Sequence, residues 1–247
     1  MTYAILSDIH ANLEALTAVL ADARQHAETL ICLGDIVGYN ANPRECLQLV
    51  QQHCAVVIAG NHDLAAAGVR PYHDFNRYAR QAIDWTRARL TPAEVLYLRQ
   101  LPRIARFGRA CLAAHGSPRD TDEYLLTRLQ FVQSFAYLQQ HAPEVRYCFV
   151  GHTHLPTIWR CTAAGEVEPE TVTSPRLALD PACRYLINPG SVGQPRYGEP
   201  LSTYVLFDEE ALQVEFRFVA YDIETAQDKI YAAGLPPYLA ERLAIGQ

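Results

Sequence analysis

Lysine is almost missing from this 247-residue chain: Lys229 stands alone against 20 arginines. Excess positive charge is missing too. A net charge of −6 and a pI near 5.8 argue against dedicated duplex binding, which needs a broad basic surface. No apolar run approaches the ~20 residues of a membrane span. The opening "MTYAILSDIH" has no basic segment ahead of a long apolar stretch, so no signal peptide is expected. CxxC pairs are absent. The seven cysteines (Cys32, Cys46, Cys54, Cys111, Cys148, Cys161, Cys183) are odd in number and scattered, several inside apolar runs. They read as reduced, partly buried thiols of a cytoplasmic protein, without a disulfide framework or zinc knuckle. Internal repeats, low-complexity tracts and linkers are also lacking.

What is present is ordinary globular material, 49% hydrophobic and 19% charged, long enough to bury a large core as one domain. "YAIL" (3–6), "TLICL" (29–33) and "AVVIA" (55–59) read as strands. The amphipathic stretches at 12–25 and 43–53 between them read as helices, with Pro43 suited to the first turn of the second. This β-α-β-α-β order predicts parallel strands joined by right-handed crossovers. Residues 70 to about 101 interrupt it with two helical stretches, the second opened by a Thr91/Glu94 capping box with Pro92 at its first position. They predict a helical cap, an insertion at about 65–101 in a single domain spanning 1–247. "RIARFGRACLAAH" (103–115) reads as a hairpin turning at Gly108, and a helix is expected over roughly 123–141. Beyond 166 come strands: "EVEPETV", "RYLIN", "TYVLF" and "QVEFRFV". Asp222 should cap a helix ending at Gly234, and a last short helix should follow Pro236 and Pro237.

Polar residues collect where strands end. After "YAIL" comes Ser7-Asp8-Ile9-His10; after "TLICL", Gly34-Asp35; after "AVVIA", Gly60-Asn61-His62-Asp63. His115-Gly116 follows "CLAA", and Gly151-His152-Thr153-His154 follows "YCFV". In an α/β sheet such loops converge on one crevice, and glycines let the backbone turn sharply there. Imidazole, carboxylate and amide donors together suit divalent Mn, Fe, Zn, Co or Ni. Seven candidates (Asp8, His10, Asp35, Asn61, His115, His152, His154) exceed the needs of one ion and suit two that share a carboxylate. Taken singly, each is more often a turn, cap or interior residue; their joint placement carries the expectation. His26, His53, His73 and His141 lie in helices or at their ends and read as structural or solvated, although His73 sits where a cap could overhang the site.

"DIH", "GDIVG", "GNHD", an isolated "HG" and "GHTH", in that order, resemble the calcineurin-like metallophosphoesterases. "INPGSVGQPR" (187–196) and "SDIHANLEAL" narrow the likeness to the small bacterial and archaeal phosphodiesterase-like branch, across essentially the whole chain. The resemblance implies an α/β fold, a four-layer α-β-β-α sandwich of two mixed sheets flanked by helices. It implies two metal ions, manganese foremost, one held by Asp8, His10, Asp35 and His154. Asp35, Asn61, His115 and His152 would hold the other, with Asp35 bridging. His62 would act on substrate, with Asp63 supporting or capping. Such a site hydrolyses a phosphodiester or related phosphoester by attack of a metal-bridging hydroxide. The partner expected is therefore a phosphorylated small molecule or nucleotide.

The chain also departs from the family. Protein phosphatases of the superfamily follow the GD motif with Asp-Arg-Gly, whereas Val37-Gly38-Tyr39-Asn40 stand here. This removes the usual partner of His62 and an arginine, so phosphoprotein phosphatase activity is not expected. Arg196 is the preferred extra phosphate contact, guanidinium matching phosphate in a bidentate way; Asn188 shares its Pro-Gly turn. Asn12 is a second candidate for substrate, against the alternative of capping the following helix. Nine arginines stand against Asp74, Asp84 and Glu94 between 70 and 109, which reads first as a solvated helical face and otherwise suits a polyanionic or nucleotide substrate. The competing functions are a nuclease or dinucleoside-polyphosphate hydrolase, and a binding scaffold without catalysis.

Overall fold

The computed structural model describes residues 1–170 and 176–247. One sheet of six strands runs in the order β3 (Cys54–Val57), β2 (Thr29–Cys32), β1 (Thr2–Leu6), β11 (Ser202–Asp208), β12 (Gln213–Val219), β9 (Arg176–Ala178). The other runs β4 (Ile104–Phe107), β5 (Cys111–Ala114), β6 (Tyr147–Phe149), β10 (Arg184–Pro189), β7 (Pro156–Cys161), β8 (Val167–Pro169). β1, β2 and β3 are mutually parallel, as are β5, β6 and β10; the remaining pairings are antiparallel, so both sheets are mixed.

Alternation along each strand builds the layers. In β1, Tyr3 and Ile5 join Val205 and Phe207 of β11 and Tyr147 and Phe149 of β6 in a core between the sheets. There Phe207 lies 5.0 Å from Tyr147 and 5.4 Å from Phe149, ring centre to ring centre. The intervening Ala4 and Leu6 turn outward under α1 (Leu13–Ala23) and α2 (Pro43–His53). On the second sheet Leu112, Cys148 and Leu186 face outward under Phe131, Phe135 and Leu138 of α6 (Arg128–His141). Strands buried on both faces need apolar residues at every position, which is why these read as unbroken apolar runs. The result is the four-layer sandwich.

Between β3 and β4 lie α3 (Asn61–Ala66), α4 (Arg77–Arg87) and α5 (Pro92–Gln100). Ala79 and Ala82 of α4 pack with Tyr39 against α7 (Ile223–Ala232) and α8 (Pro237–Glu241), where Trp85 donates from Nε1 to the carbonyl of Ala233, 2.9 Å.

Several elements differ from the sequence reading. α4 starts at 77 because the Asn76 side chain accepts from the backbone of Tyr78 and Ala79. α6 starts at 128, not near 123, because Gln130 reaches back to the backbone N–H of Thr127 at 2.9 Å and ends the preceding loop there. The sequence reading did not include α3, β7 or β9; α3 and β9 are short, and β7 opens with Pro156. "EVEPETV" pairs over Val167–Pro169, while positions 171 and 172 lie outside the described residues.

Candidate metal centre

Because both parallel triplets point the same way, the loops after β1, β2, β3, β5 and β6 meet along one edge. Backbone bonds lock them together. His10 donates to the carbonyl of Asp35 (2.8 Å), Ala11 to Ile36 (2.8 Å), Gly151 to His115 (2.6 Å) and Gly193 to Asp8 (2.9 Å). This bracing holds an unusual backbone. Asp8, His10, Asp35, His152 and His154 all have positive φ, between 48° and 67°. Non-glycine residues there cost on the order of 1 kcal/mol or more each, and such strain gathers at functional sites. Glycines supply clearance: a methyl built on Gly60 would lie 2.1 Å from Oδ1 of Asp35, and one on Gly151 2.8 Å from Oδ2 of Asp8.

All seven candidate donors are buried at this edge. Asp8, His10 and His154 cluster, as do Asp35, His115 and His152, each set with donor atoms within 4.8 Å of one another. Asp35 stands between them, its Oδ2 3.6 Å from Nε2 of His10 and 3.3 Å from Nε2 of His115. Asn61 Oδ1 lies 3.1 Å from Nε2 of His115. His62 also comes close, grouping with His10 and Asp35.

The tautomers follow from the hydrogen bonds. Nδ1 of His10 donates to the carbonyl of Val37 (3.2 Å), that of His115 to Leu33 (2.8 Å) and that of His154 to Gln194 (2.6 Å). A carbonyl only accepts, so in all three Nδ1 carries hydrogen, and in His10 and His154 Nε2 points its lone pair inward. Acceptors then face acceptors: Nε2 of His10 and His154 are 3.1 Å apart, and Nε2 of His154 lies 3.2 Å from Oδ1 of Asp8. Asp8 Oδ1 and His152 Nε2 are buried with no hydrogen-bond partner among the described residues. Lone pairs converging without a proton between them form a cradle for cations, and the donor set fits borderline divalent metals.

Burial pushes His10 well below the ordinary imidazole range and His152 down to about 3. His154 is lowered as well, by burial and then by Arg196. All three therefore present neutral rings. Burial would raise Asp35, but the charged His115 holds it well below the carboxylate range, and His154 beside Asp8 lowers that carboxyl as well. His115 is the exception: burial opposes its charge, yet Asp35 carries it up to about 10.

The surroundings are less legible. Asp63 accepts from the backbone of Gly60 (3.0 Å), Ile36 (2.9 Å) and Val37 (3.1 Å), tying the GD and GNHD loops together. Asn188 donates from Nδ2 to the carbonyl of Gly151 (2.7 Å) and orders the GHTH loop. Asn12, expected as a possible substrate contact, is committed elsewhere. Its Oδ1 accepts from Ala15 N–H at the start of α1 (3.1 Å) and its Nδ2 donates to Gly193 O (2.9 Å). Arg196 donates from Nη2 to Gln194 Oε1 (3.0 Å), while its buried Nε has no partner among the described residues. His73 is exposed.

Three residues were missed. Tyr124, in a stretch read as helix, lays its ring 3.9 Å from that of His152. Tyr39 and Phe75 pack on His62. Nothing in their local sequence marks them. With Arg70, Asp74, Asn76 and Asp122 they wall a cleft of about 200 Å³ that reaches Asn61, His62 and His152.

The family model for the calcineurin-like phosphoesterase superfamily domain matches residues 1–211. An uncharacterized protein of Methanocaldococcus jannaschii is 37% identical over 250 residues, 99% of this chain and 98% of that protein. The crystal structure of a metallophosphoesterase from Sphaerobacter thermophilus aligns over 100% of both chains with 38% identity and a TM-score of 0.86. A hypothetical protein from Pyrococcus horikoshii OT3 shares the fold, with 23% identity, a TM-score of 0.80 and coverage of 100% of this chain and 98% of the other.

Proposed function

The chain belongs to the calcineurin-like phosphoesterase superfamily, and from that premise we propose that it hydrolyses a small phosphodiester or related phosphoester with two divalent cations, manganese foremost. The observation that carries this reading is the convergence of acceptors, with Nε2 of His10 3.1 Å from Nε2 of His154 and Asp8 Oδ1 without a hydrogen-bond partner among the described residues. Asp8, His10, Asp35 and His154 would hold one cation and Asp35, Asn61, His115 and His152 the other. Bound there, the cations supply Lewis-acid charge that acidifies water and offsets the charge of phosphate oxygens.

The chain's own residues do the rest. Carbonyl bonds at Nδ1 fix three imidazoles so that little reorganisation accompanies reaction. His62 lines the cleft, and burial brings its pKa to about 4. In the metal-free protein the ring is therefore neutral. A phosphate anion bound beside it would favour the imidazolium, which can donate its proton to the leaving oxygen and return to the neutral ring. General-acid catalysis values that contribution at roughly 10²–10⁴-fold. Arg196 is the further phosphate contact; its Nε, without a partner among the described residues, and its position beside the Tyr124 hydroxyl support this.

The chain's net charge of −6 weighs against the nuclease alternative. A scaffold without catalysis would not need to keep every donor and His62. The test is turnover of bis-p-nitrophenyl phosphate and of the p-nitrophenyl monoester with added Mn²⁺. Metal-loaded protein should cleave the diester, and Asp35→Asn should lose that activity while staying folded. No turnover of either ester by metal-loaded wild type would favour the scaffold.

A further inference from the structure

His62 lacks the partner that would normally aim a proton-donating histidine. Its Nδ1 is buried and takes no hydrogen bond among the described residues. Its backbone is anchored, the N–H donating to Asp35 Oδ1 at 2.8 Å. That bond leaves the side-chain torsions free, and the outer one is intrinsically broad.

Aromatic surface holds the ring instead. Tyr39 sits 4.5 Å away between ring centres, tilted 48°, and Phe75 4.7 Å away, tilted 34°. Behind Phe75 the guanidinium carbon of Arg70 lies 4.9 Å from the ring centre. Arg70 is itself pinned by Asp74 (2.8 Å) and by Asp122 of the loop after β5 (2.8 Å). A column therefore runs from Arg70 through Phe75 and His62 to Tyr39, which touches the candidate ligand His10 at 4.5 Å.

We propose that Phe75, on the segment leading into α4, is a positioning residue for His62. The Tyr39–Phe75 clamp takes the place of a hydrogen-bonded partner and makes the cap part of the catalytic apparatus. The inference rests on the reading that His62 serves the leaving group. Phe75 is the side to test, because Tyr39 also packs on His10. Offset and tilted ring pairs prefer defined geometries, and a donor displaced by about 1 Å loses much of its effect.

The experiment compares wild type, His62→Gln, Phe75→Leu and Phe75→Tyr on two phosphodiesters, one leaving as p-nitrophenolate and one as a simple alkoxide. Nitrophenolate departs without a proton; alkoxide needs one. Phe75→Leu should lose about tenfold in kcat on the alkoxide ester. On the nitrophenyl ester, whose leaving group needs no proton, the loss in kcat should be several-fold smaller, and Phe75→Tyr should keep the wild-type ratio between the two esters. A second readout needs neither metal nor turnover. In metal-free protein labelled with ¹³C-histidine, the His62 resonance is assigned by its loss in His62→Gln. Ring currents of the clamp should shift it, and Phe75→Leu should move it toward the free-histidine position. If the leucine variant does not fold, Phe75→Met serves the same end.

His62→Gln with wild-type turnover of the alkoxide ester overturns the reading of the site. Wild-type leaving-group dependence in Phe75→Leu, beside a His62→Gln protein that has lost it, overturns this inference alone. An unmoved His62 resonance does the same.

Discussion

Gly38 and His62 meet with no room for another carbon: a methyl built on Gly38 would lie 2.5 Å from Nδ1 and 3.2 Å from Cγ of His62. Gly38 also has a φ of +94°, which a residue with a side chain resists. Gly38→Ala should cost about 1–3 kcal/mol of stability and push the His62 ring aside. A melting curve and turnover of the diester check both; wild-type values in each would show that the contact does not constrain the ring.

Stability of the metal-free protein should fall on the alkaline side. Burial opposes the charge on His115, but Asp35 lifts its pKa to about 10, against ~6.5 in an unfolded chain. A raised folded value means the stabilisation is complete below pH ~6.5 and drains away as pH climbs toward about 10. The melting temperature should decline between pH 8 and 9.5, and His115→Gln should flatten that decline.

Divalent cations must displace the same proton from His115, so binding near pH 7.5 should release protons. Calorimetric titration with Mn²⁺ in two buffers of different ionisation enthalpy would count them. Equal heats in both buffers would contradict a charged His115.

Asn12→Ala should act on stability, since its side chain caps α1 and holds Gly193. A loss of roughly 0.5–2 kcal/mol is expected, with Asn12→Ser recovering the capping share. A variant that melts like wild type but has a raised KM would return Asn12 to the substrate.

Arg196→Gln should weaken phosphate engagement, lowering kcat/KM by about ten- to a hundredfold if a charged hydrogen bond worth roughly 1.5–3 kcal/mol is lost. Arg196→Lys should recover only part, because an ammonium cannot reproduce a two-pronged guanidinium contact.

Local patterns proved readable where local forces decide. α2 begins at Pro43 and ends at His53 because proline fits the first helical turn and the apolar spacing persists to its end. β12 matches its alternating stretch from Gln213 to Val219. The chain at 123–127 misled because its composition tolerates a helix, while the Thr127–Gln130 contact starts one later.

Sequence alone determined which residue types follow each strand, since motif order, glycine placement and two-residue alternation are properties of neighbours along the chain. Only the tertiary structure decided what those residues meet. His10 and His154 are 144 positions apart, and Asn12 is bound to a carbonyl 181 positions away. Strand order and crossovers bring such loops together, and they also set Phe75 of the cap against His62. Packing across the sheets and from the cap follows from the whole chain's burial of its apolar faces, and no short window of residues encodes it.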